Sequence, residues 1–335
     1  MILQLLNRKN FNGIIYIPLF GLLIWSPTFF GEPTDSATHD SASIFYQFLT
    51  GWIGNTPMLS PLIALLLTLV SAFVLQQFDS RYGLLQKKTA LPAYLFVIIA
   101  GGIGDLHTLH PVHLAMPLFL MAIFRLFNAQ ILRVPLKNFF DAGFLLGIGI
   151  LIYPQLMFFS PLLLMAAFVL VKEPQWRLFV IPLIGIIIPP LFLISILFLG
   201  DNTQGINSLM GTNLISDSTS MAQIQGNLLI FLAFISLLLL VAGFRIGAFS
   251  EERRNLQRKY HHFFILMMIN ALPIIVLAGR GSTSHIWLAA APSAMLIAIL
   301  LGTFRRTKWV EIILAILFLG ALLQNDIIVA IFLPQ

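Results

Sequence analysis

The chain has 335 residues, of which 59% are apolar and only 10% are charged. Soluble globular proteins are about 25% charged, so this composition excludes a soluble domain, and it excludes a disordered chain as well. The formal net charge of +6 does not indicate nucleic-acid binding, because no soluble basic face with aromatic residues accompanies it. A membrane crossing takes about 20 residues, so the length predicts roughly ten or eleven spans and no large extramembrane domain.

Apolar runs separated by polar residues predict an all-α bundle of about eleven transmembrane spans, forming a single integral membrane domain over residues 1–335. The predicted spans cover residues 12–30, 57–78, 90–104, 112–130, 139–153, 155–171, 178–199, 226–244, 261–279, 284–303 and 309–331. No internal repeat with matching interrupted helices is found in the sequence, which disfavours a transporter built from inverted repeats.

The basic residues predict the orientation of the spans. All but one of the 19 Lys and Arg residues fall into clusters between spans, which the positive-inside rule assigns to the cytoplasm. An even number of spans must separate successive clusters, so residues 139–171 must form two short helices broken near Tyr153-Pro154. The N-terminus is then cytoplasmic, the C-terminus is periplasmic, and the first helix is retained as an anchor. The absence of an Asn-x-Ser/Thr sequon favours a bacterial inner membrane.

The first outer segment, residues 31–56, is a predicted periplasmic loop that is acidic at its start and aromatic at its end. Glu32, Asp35 and Asp40 follow the first span, and the segment contains no Lys or Arg. Its aromatic half, from Ile44 to Ile53, suits a short helix lying in the membrane interface. Such a helix would form the lip of a cavity; a solvated loop with an aromatic belt is the alternative.

The second outer segment, residues 101–113, joins two spans that are short for a bilayer. The span 90–104 would be about 22 Å long at 1.5 Å per residue, whereas the hydrocarbon core is about 30 Å thick. Asp105, His107, His110 and His113 are therefore expected at or below the membrane edge, where ionisable side chains usually face a wet cavity or a partner. An acid–base or substrate-binding role, an interfacial loop and a metal site are the alternatives, although Pro111 interrupts the three histidines.

The third outer segment, residues 278–287, contains His285 and Arg280, which is the single base set against the outer carboxylates. Glycines on both sides of Arg280 let the backbone approach a ligand closely. An Arg among small hydroxyl side chains is typical of phosphate binding, and a salt bridge to an outer carboxylate is the structural alternative. The polar periplasmic loop 200–225 is similar to the mobile covers that close over active sites.

Together these segments resemble the polyprenyl-phosphate-dependent glycosyltransferases of the GT-C architecture. Acidic residues follow the first helix, and an acidic hairpin with histidines follows the third. A late outer turn leads into an aromatic–small–Pro helix, RGSTSHIWLAAAPSAMLIA (residues 280–298). The short pair 139–171 is similar to the family's broken middle helices. The chain departs from the family in having no large outer C-terminal domain and no Asp-Asp or Glu-Asp pair in the first loop.

The resemblance implies transfer of a sugar from a polyprenyl-phosphate donor to a periplasmic acceptor. Asp35 or Asp40 would act as the general base on the acceptor hydroxyl. Asp105 would act as a second acid or as a metal ligand. A divalent metal ion is compatible with this chemistry, although the residues specify no cofactor.

The resemblance also implies which residues would bind the substrate. Glu32, His107 and His110 would contact it, while Arg280 and His285 would hold the lipid phosphate as it leaves. The expected partners are membrane lipids and the polyprenyl-phosphate-linked sugar.

The chain also resembles bacterial multi-pass inner-membrane proteins without a characterised activity. The alternative function is therefore a non-catalytic membrane subunit of a secretion, envelope-assembly or translocon-type complex, since every apolar helix can offer a face to a partner. An outer cavity containing carboxylates and an Arg favours the enzyme, whereas a filled bundle favours the subunit.

Overall fold

The structure is a computed structural model, and it describes residues 12–30, 46, 58–85, 89–132, 135–172, 175–200, 226–248, 255–277, 283–304 and 307–324. These residues are almost entirely helical and contain no strand. Their α-helices, numbered α1 to α12 in chain order, are Asn12–Phe30, Leu59–Tyr82, Leu91–Gly101, Pro111–Leu132, Pro135–Ile152, Ser160–Leu170, Arg177–Leu199, Gly226–Ala248, Asn255–Leu277, Thr283–Leu288, Ala290–Gly302 and Thr307–Leu322. Two 3-10 helices, Gly104–Leu106 and Pro154–Phe159, lie between them.

The all-α fold class is confirmed by these helices. Within the described residues, five helices are long and apolar enough to cross a membrane, namely α2, α4, α5, α7 and α8. The expected break in residues 139–171 is present, because α5 ends at Ile152 and a 3-10 helix begins at Pro154. Proline favours such a boundary, since it lacks the N–H that would continue the preceding helix. The count of eleven spans and their orientation stay predictions.

Two short helices, α3 and α11, form the centre of the bundle. Every residue of α3 is buried, and so is every residue of α11 from Ala290 to Leu301. Helix α3 packs against α1, α2, α11 and α12, while α11 also packs against α8 and α9. The 11 residues of α3 rise only about 16 Å, which is too short to cross the hydrocarbon core of a bilayer, about 30 Å thick, and all of them are surrounded by protein.

Helix α7 packs tightly against α5 through small residues on both helices. A Cβ atom built on Gly143 would overlap the backbone carbonyl of Pro182, and one on Gly185 would lie 2.7 Å from the carbonyl oxygen of Phe140. Glycine is therefore required at both positions for the two backbones to come this close. The opposite face of α7 is exposed in the isolated chain.

The described basic residues at the ends of α2 and α8 lie at one end of the bundle, where each contacts an aromatic ring of a neighbouring segment. The guanidinium of Arg81 lies 5.2 Å from the ring centroid of Phe124, which joins the end of α2 to α4. The guanidinium of Arg245 lies 5.4 Å from the ring centroid of Phe304, which joins the end of α8 to the residues after α11. Helix α3 leads away from this end, so the hairpin 101–113 that follows it lies at the other end of the bundle, together with α10, which contacts the hairpin.

A left-handed glycine shapes the chain at this basic end. Gly83 has φ +62° and ends α2, with its N–H donating to the carbonyl of Asp79 (2.9 Å). The next residues are held by α9, because Gln257 Nε2 donates to the Gly83 carbonyl (2.6 Å) and His261 Nε2 donates to the Leu84 carbonyl (3.0 Å). A non-glycine residue would be strained in this conformation.

Candidate functional site

His107 fastens the hairpin to the end of α1. Its Nε2–H donates to the carbonyl of Gly101 (2.7 Å), and its Nδ1 accepts from the hydroxyl of Thr28 (3.1 Å). This proton placement follows because a carbonyl only accepts hydrogen bonds. The indole N–H of Trp25 donates to the His107 carbonyl (3.2 Å), and the two rings lie 4.5 Å apart at their centroids. Both ring nitrogens are therefore used within the protein, and His107 holds the hairpin in place.

The pKa of His107 gives the hairpin a predicted sensitivity to acid. Burial lowers this pKa from 6.5 to about 4, and the hydrogen bond to Gly101 opposes the shift only in part. The unfolded chain therefore binds the proton first as the pH falls below 6.5, so native stability decreases on acidification. Between pH 7 and pH 5 we expect a loss of roughly 2 kcal/mol from this residue.

The His107→Gln variant should show a smaller fall in melting temperature between pH 7 and pH 5 than the native protein, measured on the full chain in detergent. His262→Gln is the matched control for the substitution, because His262 is exposed on α9 and its described hydrogen bond is to the Arg258 carbonyl of the same helix. Equal pH dependence in the native protein and the His107→Gln variant would contradict the assignment.

The tip of the hairpin is hydrogen-bonded to two other segments. Tyr46, the single described residue between 31 and 57, is buried and donates its hydroxyl to the Leu109 carbonyl (2.6 Å). The amide N–H of Leu109 donates to the Ser60 hydroxyl at the start of α2 (2.8 Å). These two bonds hold the tip of the hairpin to Tyr46 on one side and to the start of α2 on the other.

Tyr153, at the break after α5, reaches the start of α10. Its hydroxyl lies 2.7 Å from Nδ1 of His285 and 3.1 Å from the hydroxyl oxygen of Ser284. All three side chains are buried. A hydroxyl has one proton, so Tyr153 donates to one partner and accepts from the other. The result is a short chain of hydrogen bonds that joins residues 132 apart in sequence.

The hairpin and this Tyr153 contact meet at one place. The ring centroids of His110 and Tyr153 are 6.0 Å apart, and those of His113 and Trp287 are 4.9 Å apart. We call His110, His113, Tyr153, His285 and Trp287 the His–Tyr cluster. It lies at the end of the bundle opposite the basic end, and it is built from four elements: the hairpin, the start of α4, the break after α5 and the helix α10.

The structure brings two of the predicted site residues, His110 and His285, into this cluster. His107 lies beside it and faces α1, while Asp105 is exposed on the 3-10 helix of the same hairpin. The other predicted site residues lie outside the described residues; they are Glu32, Asp35, Asp40 and Arg280. The predicted loop 200–225 lies outside them as well, apart from Gly200.

Sequence reasoning did not select Tyr153, Ser284 or Trp287 as site residues. Tyr153 carried one usable signal, since it stands directly before the proline that breaks the middle helix pair. Ser284 and Trp287 flank the predicted His285, and helical spacing gave no reason to separate them from ordinary core residues.

The described residues do not support a metal site built from the hairpin histidines. Among them, no three His, Cys, Asp or Glu residues come close enough together to hold a metal ion. His113 Nδ1 lies 3.1 Å from the amide nitrogen of His110 and 3.3 Å from its carbonyl oxygen, so the backbone already engages this nitrogen.

These features define the chain as an all-helical membrane protein with a buried polar cluster at one end of its bundle. A profile of DUF6427, a family of unknown function, matches residues 41–329, and the chain therefore belongs to this family. Comparison with curated proteins and with solved structures gave no match.

Proposed function

We propose that this protein is a GT-C-like glycosyltransferase that moves a sugar from a polyprenyl-phosphate donor to a periplasmic acceptor. The observation that supports the proposal is the convergence at the His–Tyr cluster. Three features of the sequence resemble the GT-C glycosyltransferases: the hairpin with its histidines, the broken middle helices and the late turn with His285. They are far apart along the chain. Their side chains meet in the folded protein.

The proposed site has two kinds of residue: carboxylates that act on the acceptor, and an arginine that binds the leaving phosphate. The carboxylates Asp35 and Asp40 belong to the segment whose Tyr46 is bound to the hairpin tip, and one of them would be the general base on the acceptor. Asp105 is exposed on that hairpin and supplies a second carboxylate. Arg280 precedes the first residue of α10 by three positions and would stabilise the leaving phosphate.

The proposed topology is eleven spans in a bacterial inner membrane, with the cluster on the periplasmic side and the basic end in the cytoplasm. Reporter fusions test it directly. Fusions after Gln86, Arg133, Gln175, Arg254 and Arg306 should read as cytoplasmic, and fusions after Asp40, Asp217 and Gln335 as periplasmic. A periplasmic reading at Gln175 would mean that residues 139–171 cross once, and the later half of the topology would invert.

Sugar transfer is tested with the full chain in lipid vesicles loaded with radiolabelled polyprenyl-phosphate-hexoses. We expect release of polyprenyl phosphate and labelling of an added cell-envelope fraction. Arg280→Ala should abolish release, and Arg280→Lys should restore little of it, because Lys presents a point charge where Arg grips phosphate with two prongs. Full activity of the Arg280→Lys variant would contradict bidentate binding of the phosphate by Arg280. Absence of release with every hexose tested would reject the glycosyltransferase proposal.

A second candidate function is the non-catalytic membrane subunit, for which the outward faces of α7 and α8 offer a surface. Large apolar side chains are highly exposed there in the isolated chain, including Phe192, Leu199, Ile230, Leu240 and Phe244. Lipid or the helices of a partner would cover this surface equally well. Stable co-purification of a defined membrane complex from native membranes, together with absence of sugar transfer, would select this candidate.

A further inference from the structure

An ion pair stands on the outer surface of the bundle, on two of the helices that are long enough to cross a membrane. A guanidinium nitrogen of Arg125 on α4 lies 3.8 Å from a carboxylate oxygen of Asp141 on α5, and the two side chains are 51% and 28% exposed. This distance is too long for a hydrogen bond. No described residue accepts a hydrogen bond from the guanidinium, which carries five N–H donors. Arg125 therefore has donors to offer to a further group.

The position of the pair along its helices makes it costly in a membrane. Arg125 stands seven residues before α4 ends at Leu132, and Asp141 stands six residues after α5 begins at Pro135. Both lie about 10 Å from the turn that joins the two helices, at 1.5 Å per residue. The 22 residues of α4 rise about 33 Å, close to the thickness of the hydrocarbon core, about 30 Å. Charged side chains exposed at such a depth need a polar partner.

Two further cations lie on the same side of the bundle. Lys137 precedes Asp141 by one turn of α5, so helical spacing puts the two side chains on one face. The guanidinium of Arg81, at the end of α2, lies 5.2 Å from the ring centroid of Phe124, the residue before Arg125. All three cations are exposed. In the described residues of α2, α4 and α5, Asp141 is the single carboxylate that reaches the surface, so this surface is net positive.

Large apolar side chains continue the same surface toward the middle of the helices. Met121 is exposed one turn before Arg125 on α4, and Phe144 is exposed one turn after Asp141 on α5. Helix α4 runs toward the basic end and α5 runs away from it, so both apolar side chains lie farther from that end than the charges do. Cations below and apolar side chains above match the phosphate and the acyl chains of a phospholipid in one leaflet.

We propose that this surface binds an anionic phospholipid, with the phosphate at Arg125 and the acyl chains along α4 between α2 and α5. A guanidinium can donate two parallel hydrogen bonds to a phosphate. Arg81 and Lys137 add positive charge on the two sides, and Asp141 keeps the guanidinium directed to the surface. A zwitterionic lipid would bring its own ammonium group toward these cations, which disfavours it. The site lies away from the His–Tyr cluster, so the inference does not depend on the proposed sugar transfer.

The first experiment compares two lipids on the native sequence by mass spectrometry of the intact protein released from detergent. The probes are phosphatidylglycerol and phosphatidylethanolamine with identical acyl chains. We expect phosphatidylglycerol to bind with a dissociation constant at least about tenfold lower. Equal binding of the two lipids overturns the proposal. Inorganic phosphate should leave the lipid bound; its displacement of phosphatidylglycerol at equal concentration would show a site for free anions and would also overturn it.

The second experiment removes the guanidinium. Arg125→Gln should raise the dissociation constant for phosphatidylglycerol at least about tenfold, the loss expected for a hydrogen bond between charged groups. The matched control is Lys308→Gln, which removes the same charge from an exposed position on α12, a helix that packs against α3 and α8. The control should bind phosphatidylglycerol as the native protein does. Equal losses in the two variants would show diffuse attraction to the basic end and would refute a site at Arg125.

The third experiment identifies the occupant in native membranes. A photo-reactive amino acid at position 121 replaces the exposed Met121, next to the path of the acyl chains. We expect it to crosslink to phospholipid, and the lipid adduct should decrease when Arg125→Gln is introduced into the same chain. Crosslinking to protein alone would show that a partner helix covers this surface, and the lipid site would then be wrong.

Discussion

Replacing Gly143 with alanine is expected to destabilise the protein by roughly 3 kcal/mol, because the added methyl group meets backbone and not a movable side chain. The Cβ atom would overlap the carbonyl of Pro182 on α7. Neither backbone can yield locally, since Gly147 also lies against α7, with a built Cβ atom 2.6 Å from the carbonyl oxygen of Ile186. The helices must separate, and the contact along α5 and α7 is lost. The measurement is the melting temperature of the full chain in detergent.

Gly243→Ala is the matched control for this substitution. Gly243 lies in α8, and a Cβ atom built on it meets nothing within 4 Å. Alanine is the better helix former by about 1 kcal/mol, so the control should be neutral or slightly stabilising. Equal melting temperatures for the two variants would show that α5 and α7 do not pack as closely as described.

The second large effect is expected for Tyr153→Phe, which removes one hydroxyl from the His–Tyr cluster. His285 and Ser284 then lose the atom that joins them to the break after α5. We expect a stability loss of about 1–2 kcal/mol. The proposed sugar transfer should fall at least about tenfold, which corresponds to about 1.4 kcal/mol of transition-state stabilisation.

Tyr82→Phe separates the functional effect from the structural one. Tyr82 is also buried, and its hydroxyl also donates a hydrogen bond, to Oδ1 of Asn128 or the carbonyl of Phe124, each at 3.1 Å. It lies at the basic end, away from the cluster. The two variants should therefore lose similar stability, while only Tyr153→Phe loses transfer. A similar loss of transfer in both variants would show that Tyr153 has only a structural role.

The positions of the helices could be predicted from sequence because apolar length and charge are local properties. The break after α5 is the clearest case, since the parity of the basic clusters and Pro154 both required it. The shortness of α3 was also visible, and its observed end at Gly101 makes it shorter than the predicted span 90–104. The polar residues of the hairpin begin directly after this end of α3.

The contacts that build the site could not be predicted in the same way. The Tyr153–His285 hydrogen bond joins two residues 132 positions apart, and no periodicity in the sequence reports on such a pairing. His107 was expected to contact the substrate, yet the structure gives both of its ring nitrogens partners from the protein. A histidine that fastens a hairpin and a histidine that binds a ligand have the same signature in a sequence.

The enclosed centre of the bundle has a consequence for how the protein is made. Helix α3, with 11 residues, is too short to enter a bilayer stably by itself. Two of the helices that enclose it, α11 and α12, are synthesised about 190 residues later. Until they arrive, α1 and α2 are the main neighbours of α3 among the described helices, and its ends must find temporary partners. A ribosome stalled after α9 would therefore expose an incomplete bundle to the quality-control proteases of the membrane.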